Sequence, residues 1–158
     1  MATASTFSIS DEFSGKRVLV TGGTQGAGKA IAERFKRGSA TVIVAARSAP
    51  KDQSPDYFIE ADLSTPEGTS KVVREILDRF HSIDIVINNL GGSSAPSGGF
   101  ITVTDELWQQ AMNENLFPAV RLDRGFLPSM IEQGSRLTAY DFSYSLDTKR
   151  VSKDRLDA

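Results

Sequence analysis

Apolar residues along this chain switch between two spacings. Arg17-Val18-Leu19-Val20-Thr21 is a short apolar run that ends in glycines, which predicts a buried strand. Ala27, Ala30, Ile31 and Phe35 then recur at helical spacing, Glu33 and Arg37 stand four apart in the favourable order, and Gly38 offers a stop. Residues 41–46 predict a second strand. Residues 51–55 are polar and hold a proline, hence a loop, and residues 57–62 predict a third strand. Ser64 or Thr65 can cap the next helix, Pro66 suits its first turn, and Glu67 favours its dipole. Val72, Val73, Ile76, Leu77 and Phe80 form its apolar stripe. Residues 83–88 predict a fourth strand, and residues 91–99 a Gly/Ser/Pro loop. Thr104 starts another helix, with Asp105 and Glu106 in its first turn and Leu107 and Trp108 expected over the core. A last helix spans about 116–132, with Pro118 in its first turn and Pro128 able to kink it near its end. Leu137-Thr138-Ala139-Tyr140 can begin one more strand.

Strands alternating with helices, and strands that are apolar throughout, imply an α/β fold with a parallel sheet covered on both faces. The pattern divides the chain into a tail over 1–13, one domain over 14–134 and a divergent polar tail over 135–158. The N-terminal segment has neither the basic start and apolar stretch of a signal peptide nor the arginines of a transit peptide.

Composition removes several function classes. The formal charge is -2 and the pI about 5.4, so no electrostatic case exists for nucleic acid or an anionic membrane as partner. No apolar run approaches the ~18 residues of a membrane span. The absence of cysteine excludes disulfide scaffolds and thiolate chemistry, and it is compatible with a cytoplasmic location. The single histidine, His81, excludes a multi-histidine metal site, and no metal is expected. It stands near a helix end, where a structural role is expected.

The strongest chemical signal is Thr21-Gly22-Gly23-Thr24-Gln25-Gly26-Ala27-Gly28, between the first strand and the first helix. Glycines there allow a tight turn and close approach of a pyrophosphate to the helix N-terminus, although a glycine loop alone can be a plain turn. Gly23 to Lys29 also matches most of a Walker A loop. That motif continues with Ser or Thr for magnesium, and here Ala30 follows.

Together these residues resemble the short-chain dehydrogenase/reductase family. The glycine loop matches its Thr-Gly-x-x-x-Gly-x-Gly motif, and Asp62-Leu63 matches the acid that contacts adenine. Asn88-Asn89-Leu90-Gly91 is similar to its Asn-Asn-Ala-Gly. Asn115 falls where the family carries its catalytic asparagine, and Leu127-Pro128-x-Met130 fits a later helix. The resemblance covers about 13–134. It implies a Rossmann-type doubly wound sheet, incomplete on its C-terminal side, and hydride transfer between a nicotinamide cofactor and a small alcohol or carbonyl. It further implies cofactor contacts from Thr21, Gly22, Thr24, Gln25, Gly26, Ala27, Gly28, Asp62, Leu63, Asn89, Leu90 and Gly91, with Asn115 holding a water of a proton relay. At the end of the second strand, Ala46 is followed by Arg47 and Ser48, and no acid appears before Asp52. An arginine there accommodates a 2′-phosphate, so NADP(H) is expected over NAD(H).

The chain also departs from the family. Four residues after Tyr140 stands Tyr144, not the lysine of Tyr-x-x-x-Lys, and Lys149 lies five beyond Tyr144. No strand ending in the family's serine is found between Asn115 and Tyr140. The pattern is left at Gly134, as in a truncated member. The alternative reading is therefore a non-catalytic NAD(P)-binding or interaction module. The family often dimerises through the helix holding Phe117 to Met130, and that interface is expected to be incomplete here.

Overall fold

In the computed structural model, residues 9–51, 55–93, 96, 98–134 and 137–140 are described. The strands are β1 (Arg17–Thr21), β2 (Thr41–Ala46), β3 (Tyr57–Glu60), β4 (Ile85–Asn88) and β5 (Leu137–Tyr140). The helices are α1 (Gly26–Arg37), α2 (Pro66–Phe80), α3 (Asp105–Asn115) and α4 (Phe117–Glu132), with short 3₁₀ turns at Ile9–Asp11 and Phe100–Thr102. The strands form one sheet in the order β3-β2-β1-β4-β5, and every pairing is parallel. Phe13 already belongs to the packed unit, because its N–H donates to Gly38 O at 2.7 Å and its ring rests 4.6 Å from that of Phe35.

Apolar runs without alternation bury both faces of the sheet. Val18, Val20, Val42 and Val44 pack with Ala32, Ile31 and Phe35 of α1 on one side. Leu19, Ile43 and Val86 pack on the other side with Val72 and Ile76 of α2 and with Leu122, Phe126 and Met130 of α4. Helices on both faces make the sheet doubly wound, as expected.

Two strands are shorter than the apolar pattern predicts, each because a carboxylate takes over the backbone's hydrogen bonds. The third stops at Glu60. Ala61 N–H still reaches Ala46 O at 3.0 Å, but the Asp62 side chain then accepts from Ser64 N and Oγ at 3.0 and 2.8 Å and turns the chain. The fourth starts at Ile85: Asp84 still donates its N–H to Arg17 O at 3.0 Å, and its side chain takes the return bond. Its carboxylate accepts the Arg17 N–H at 2.9 Å and Arg17 Nε at 2.8 Å. Of the two candidate caps, Thr65 holds α2, with its hydroxyl accepting from Gly68 N at 3.0 Å. His81 ends that helix in a left-handed conformation, φ 65°.

Two further expectations change. Trp108 does not cover the core: it is 44% exposed and edges against the exposed Phe100, since α3 packs on α4 and buries no residue of its own. The strand expected to begin at Leu137 forms, and it carries the sheet past the boundary drawn at Gly134, with β5 paired along β4 from Ile85↔Leu137 to Asn88↔Tyr140. A strand does occupy the place next to β4, and it ends in Tyr140 without a serine. Tyr144 and Lys149 lie outside the described residues, as do residues 1–8.

Candidate functional site

The chain runs from β1 outward through β2 to β3, then crosses back to β4 on the other side of β1. Open parallel sheets leave a crevice at the carboxyl ends of the strands where the order reverses. Here that crevice is a cleft of about 780 Å³.

Thr21, at the end of β1, joins the cleft's two central loops. Its buried hydroxyl donates to Ile87 O at 3.3 Å and accepts from Asn89 N at 3.0 Å and Leu90 N at 2.9 Å. Asn89 returns a bond from Nδ2 to Thr21 O at 3.0 Å, and Gly22 N–H donates to Ala45 O at 2.9 Å. The glycine loop is thereby stitched to both neighbouring strands. Gly22 has φ 65°, which a side chain disfavours. Gly28 is held by crowding: a Cβ would lie 2.3 Å from Asn89 Nδ2 and 2.5 Å from Gly22 O.

The loop delivers the start of α1 to the cleft, where Thr24, Gln25, Gly26, Ala27 and Gly28 line the wall. Gln25 is the N-cap, and its side chain makes no capping hydrogen bond. The first-turn N–H groups have no acceptor within the helix and carry its positive dipole end. This wall suits an anion.

The remaining wall comes from three strand ends and the α3–α4 junction. Arg47 and Ser48 follow β2; both are exposed and line the cleft, and Arg47 makes no ion pair among the described residues. It also borders a smaller hollow with Asp62 and Lys71. Asp62 is exposed and uses Oδ1 for Ser64, while Leu63 beside it is buried. Leu90 and Gly91 leave β4 along the cleft.

Asn115 closes the cleft from α3. Its Oδ1 accepts from Gly92 N at 2.9 Å, and its Nδ2 donates to Gly92 O at 3.0 Å and Ala111 O at 2.8 Å. The side chain thus pins the loop after β4. The helical run breaks at this point because Pro118 has no N–H to give to the Glu114 carbonyl four residues back. Every residue expected from the sequence to touch cofactor, and Asn115, therefore borders one cleft.

Other neighbours were not expected at the site from the sequence. Ser64, Gly92, Ser93, Glu114, Pro118 and Ala119 also line the cleft, each beside an expected residue or one helical turn away. Below it, Asn88 Nδ2 donates to the buried Asp123 Oδ1 at 3.3 Å. The available signal was an acid set within the apolar stripe Ala119, Leu122, Phe126 and Met130. Among the described residues, no group of His, Asp and Glu is arranged to hold a metal, and no helix is long and apolar enough to cross a membrane.

Comparison with known proteins gives one consistent match. The family model described as short chain dehydrogenase matches residues 16–136. The uncharacterized oxidoreductase YvrD of Bacillus subtilis is 37% identical over 132 residues, covering 76% of this chain and 48% of that protein. Gluconobacter frateurii L-sorbose reductase, solved with NADPH and L-sorbose, superposes with a TM-score of 0.74 at 30% identity, over 83% of this chain and 53% of that one. The NADH-dependent reductase A1-R′, solved with NAD, gives 0.71 at 26% identity, over 83% and 61%. The chain spans about half the length of the curated relatives it matches.

Proposed function

Since the chain belongs to the short-chain dehydrogenase family, we propose that it forms the cofactor-binding part of an oxidoreductase acting between NADP(H) and a small alcohol or carbonyl compound. The observation that carries this reading is the convergence on one cleft of the glycine loop, Asp62, Asn89 and Asn115, which come from separate stretches of the chain. The donor set fits a dinucleotide. The first turn of α1 offers N–H groups to a pyrophosphate, and the crowding at Gly28 leaves room for backbone but for no side chain. The free side of the Asp62 carboxylate accepts from the adenine amino group, and Asn89, Leu90 and Gly91 flank the nicotinamide riboside. When bound, the cofactor supplies or takes up hydride. Asn115 keeps the loop after β4 in place and offers its α3 terminus to a water of the proton relay.

Preference for NADP(H) rests on Arg47 and Ser48. A guanidinium at the end of β2 with no ion pair among the described residues meets the 2′-phosphate with charge-assisted hydrogen bonds, and the hydroxyl adds another. The related complexes contain NADPH in one case and NAD in the other and do not choose between them. A second reading is a non-catalytic NAD(P)-binding module. It is favoured by the commitment of the Asn115 side chain to Gly92.

A thermal melt with and without NADPH and NADH tests the proposal. At ~100 times its dissociation constant a ligand adds about 2.7 kcal/mol, and NADPH is expected to raise the midpoint further than NADH. Arg47→Ala is expected to remove the difference. Equal shifts from both dinucleotides would refute the NADP reading, and no shift from either would refute cofactor binding. NADPH-dependent turnover of a carbonyl panel then separates the enzyme from the binding module.

A further inference from the structure

The turn that carries Asp62 is packed more tightly than any sequence motif explains. Gly68, in the first turn of α2, lies against it: a Cβ built there would stand 1.9 Å from the Asp62 carbonyl oxygen and 2.6 Å from its carbon. An ordinary C···O contact is no shorter than about 3.3 Å. The colliding group is backbone, so no side-chain rotation relieves it. Thr65 occupies the same space from the other side. Its hydroxyl donates to Asp62 O at 2.9 Å and accepts from Gly68 N at 3.0 Å, and its N–H also reaches Asp62 O at 3.3 Å. From α4, Arg121 Nη1 donates to Ser64 O at 3.3 Å and holds the crown of the turn.

We infer that Gly68 is a positioning residue for adenine recognition: its lack of a side chain lets α2 close against the Asp62 carbonyl and so fixes the carboxylate at the cleft. A residue with a Cβ displaces the start of α2 from the turn, and Asp62 loses its aim. The Ser64 hydrogen bonds to Oδ1 orient the carboxylate only while the turn keeps this shape. The inference rests on the proposed contact of Asp62 with the adenine amino group. It adds a residue that does not line the cleft and that matters through the backbone alone.

Titration calorimetry of the full 158-residue chain with NADPH and with its analogue carrying unsubstituted purine in place of adenine provides the test. The analogue has hydrogen in place of the adenine amino group and gains no new N–H donor for the carboxylate. The unmodified chain is expected to favour NADPH about tenfold, in keeping with one hydrogen bond to a charged group. Gly68→Ala is expected to bring the two ligands to nearly equal affinity, mostly by weakening NADPH. A purely structural role for Gly68 predicts a lower melting temperature with the tenfold preference kept, and that result overturns the inference. If Gly68→Ala does not fold, Thr65→Val decides: it removes the hydroxyl from the same turn, and a kept preference overturns the inference while a lost one supports it. No preference in the unmodified chain refutes the Asp62–adenine contact itself, a failure distinguishable from that of Gly68.

Discussion

Single residues in this molecule act through the space they leave empty as much as through the groups they present. Gly28 was legible in the sequence because it ends a glycine motif between strand and helix. The physical reason became visible only in three dimensions, where the Gly22 carbonyl and the Asn89 amide occupy the position of its Cβ. Gly28→Ala is expected to weaken dinucleotide binding at least tenfold and to cost roughly 1–3 kcal/mol of stability, as overpacking does. Calorimetric titration together with a urea melt checks both, and unchanged affinity would show that the loop can yield. Asp62 and Thr21 were legible for their neighbours in the chain. Asp123 and Gly68 were not, since their partners lie 35 residues away and on a backbone carbonyl.

At the scale of elements, caps and apolar stripes placed the helices well. Thr65 before Pro66 and Thr104 before Asp105 cap α2 and α3 as their residue types predict. How closely the helices approach one another was not written in those stripes. Gly125 of α4 meets Val73 of α2 so closely that a Cβ would lie 2.6 Å from Val73 Cγ2. The two helices share the core face that holds Val72, Ile76, Leu122 and Phe126. Gly125→Leu is therefore expected to push α2 and α4 apart and to destabilise the fold by about 1–3 kcal/mol, despite Leu's better helix propensity. A denaturant melt reads this directly. A neutral or stabilising result would mean that propensity outweighs the close contact.

At the scale of the whole molecule, one side chain connects what the sheet topology separates. Arg17 Nε meets Asp84 at 2.8 Å, Nη1 donates to Phe80 O at the end of α2 at 2.8 Å, and Nη2 reaches Gln133 after α4 at 2.9 Å. It thus serves two helix C-termini and a largely buried carboxylate at the edge opposite the cleft. Arg17→Met keeps the stem and removes the guanidinium from the largely buried Asp84 carboxylate. The expected loss is roughly 3 kcal/mol, or about 10 °C in melting temperature for a domain of this size. A change under about 1 kcal/mol would place this pair with ordinary surface ion pairs.

By itself the sequence determined the order and kind of the elements and the glycine loop, because strand and helix periodicity, caps and turn residues act between near neighbours in the chain, and its motifs carried the resemblance to the family. It also marked Arg47, Asp62, Asn89 and Asn115 as candidates, each beside a strand end or helix end. Tertiary structure alone decided that these residues border one cleft, that β3 and β4 stop short at Asp62 and Asp84, and that Trp108 stays exposed. It alone decided that Asn115 pins Gly92 and that Gly68 and Gly125 exist for close approach. Each of these follows from a contact between groups distant in sequence or from a backbone approach shorter than any side chain permits, and local pattern carries neither.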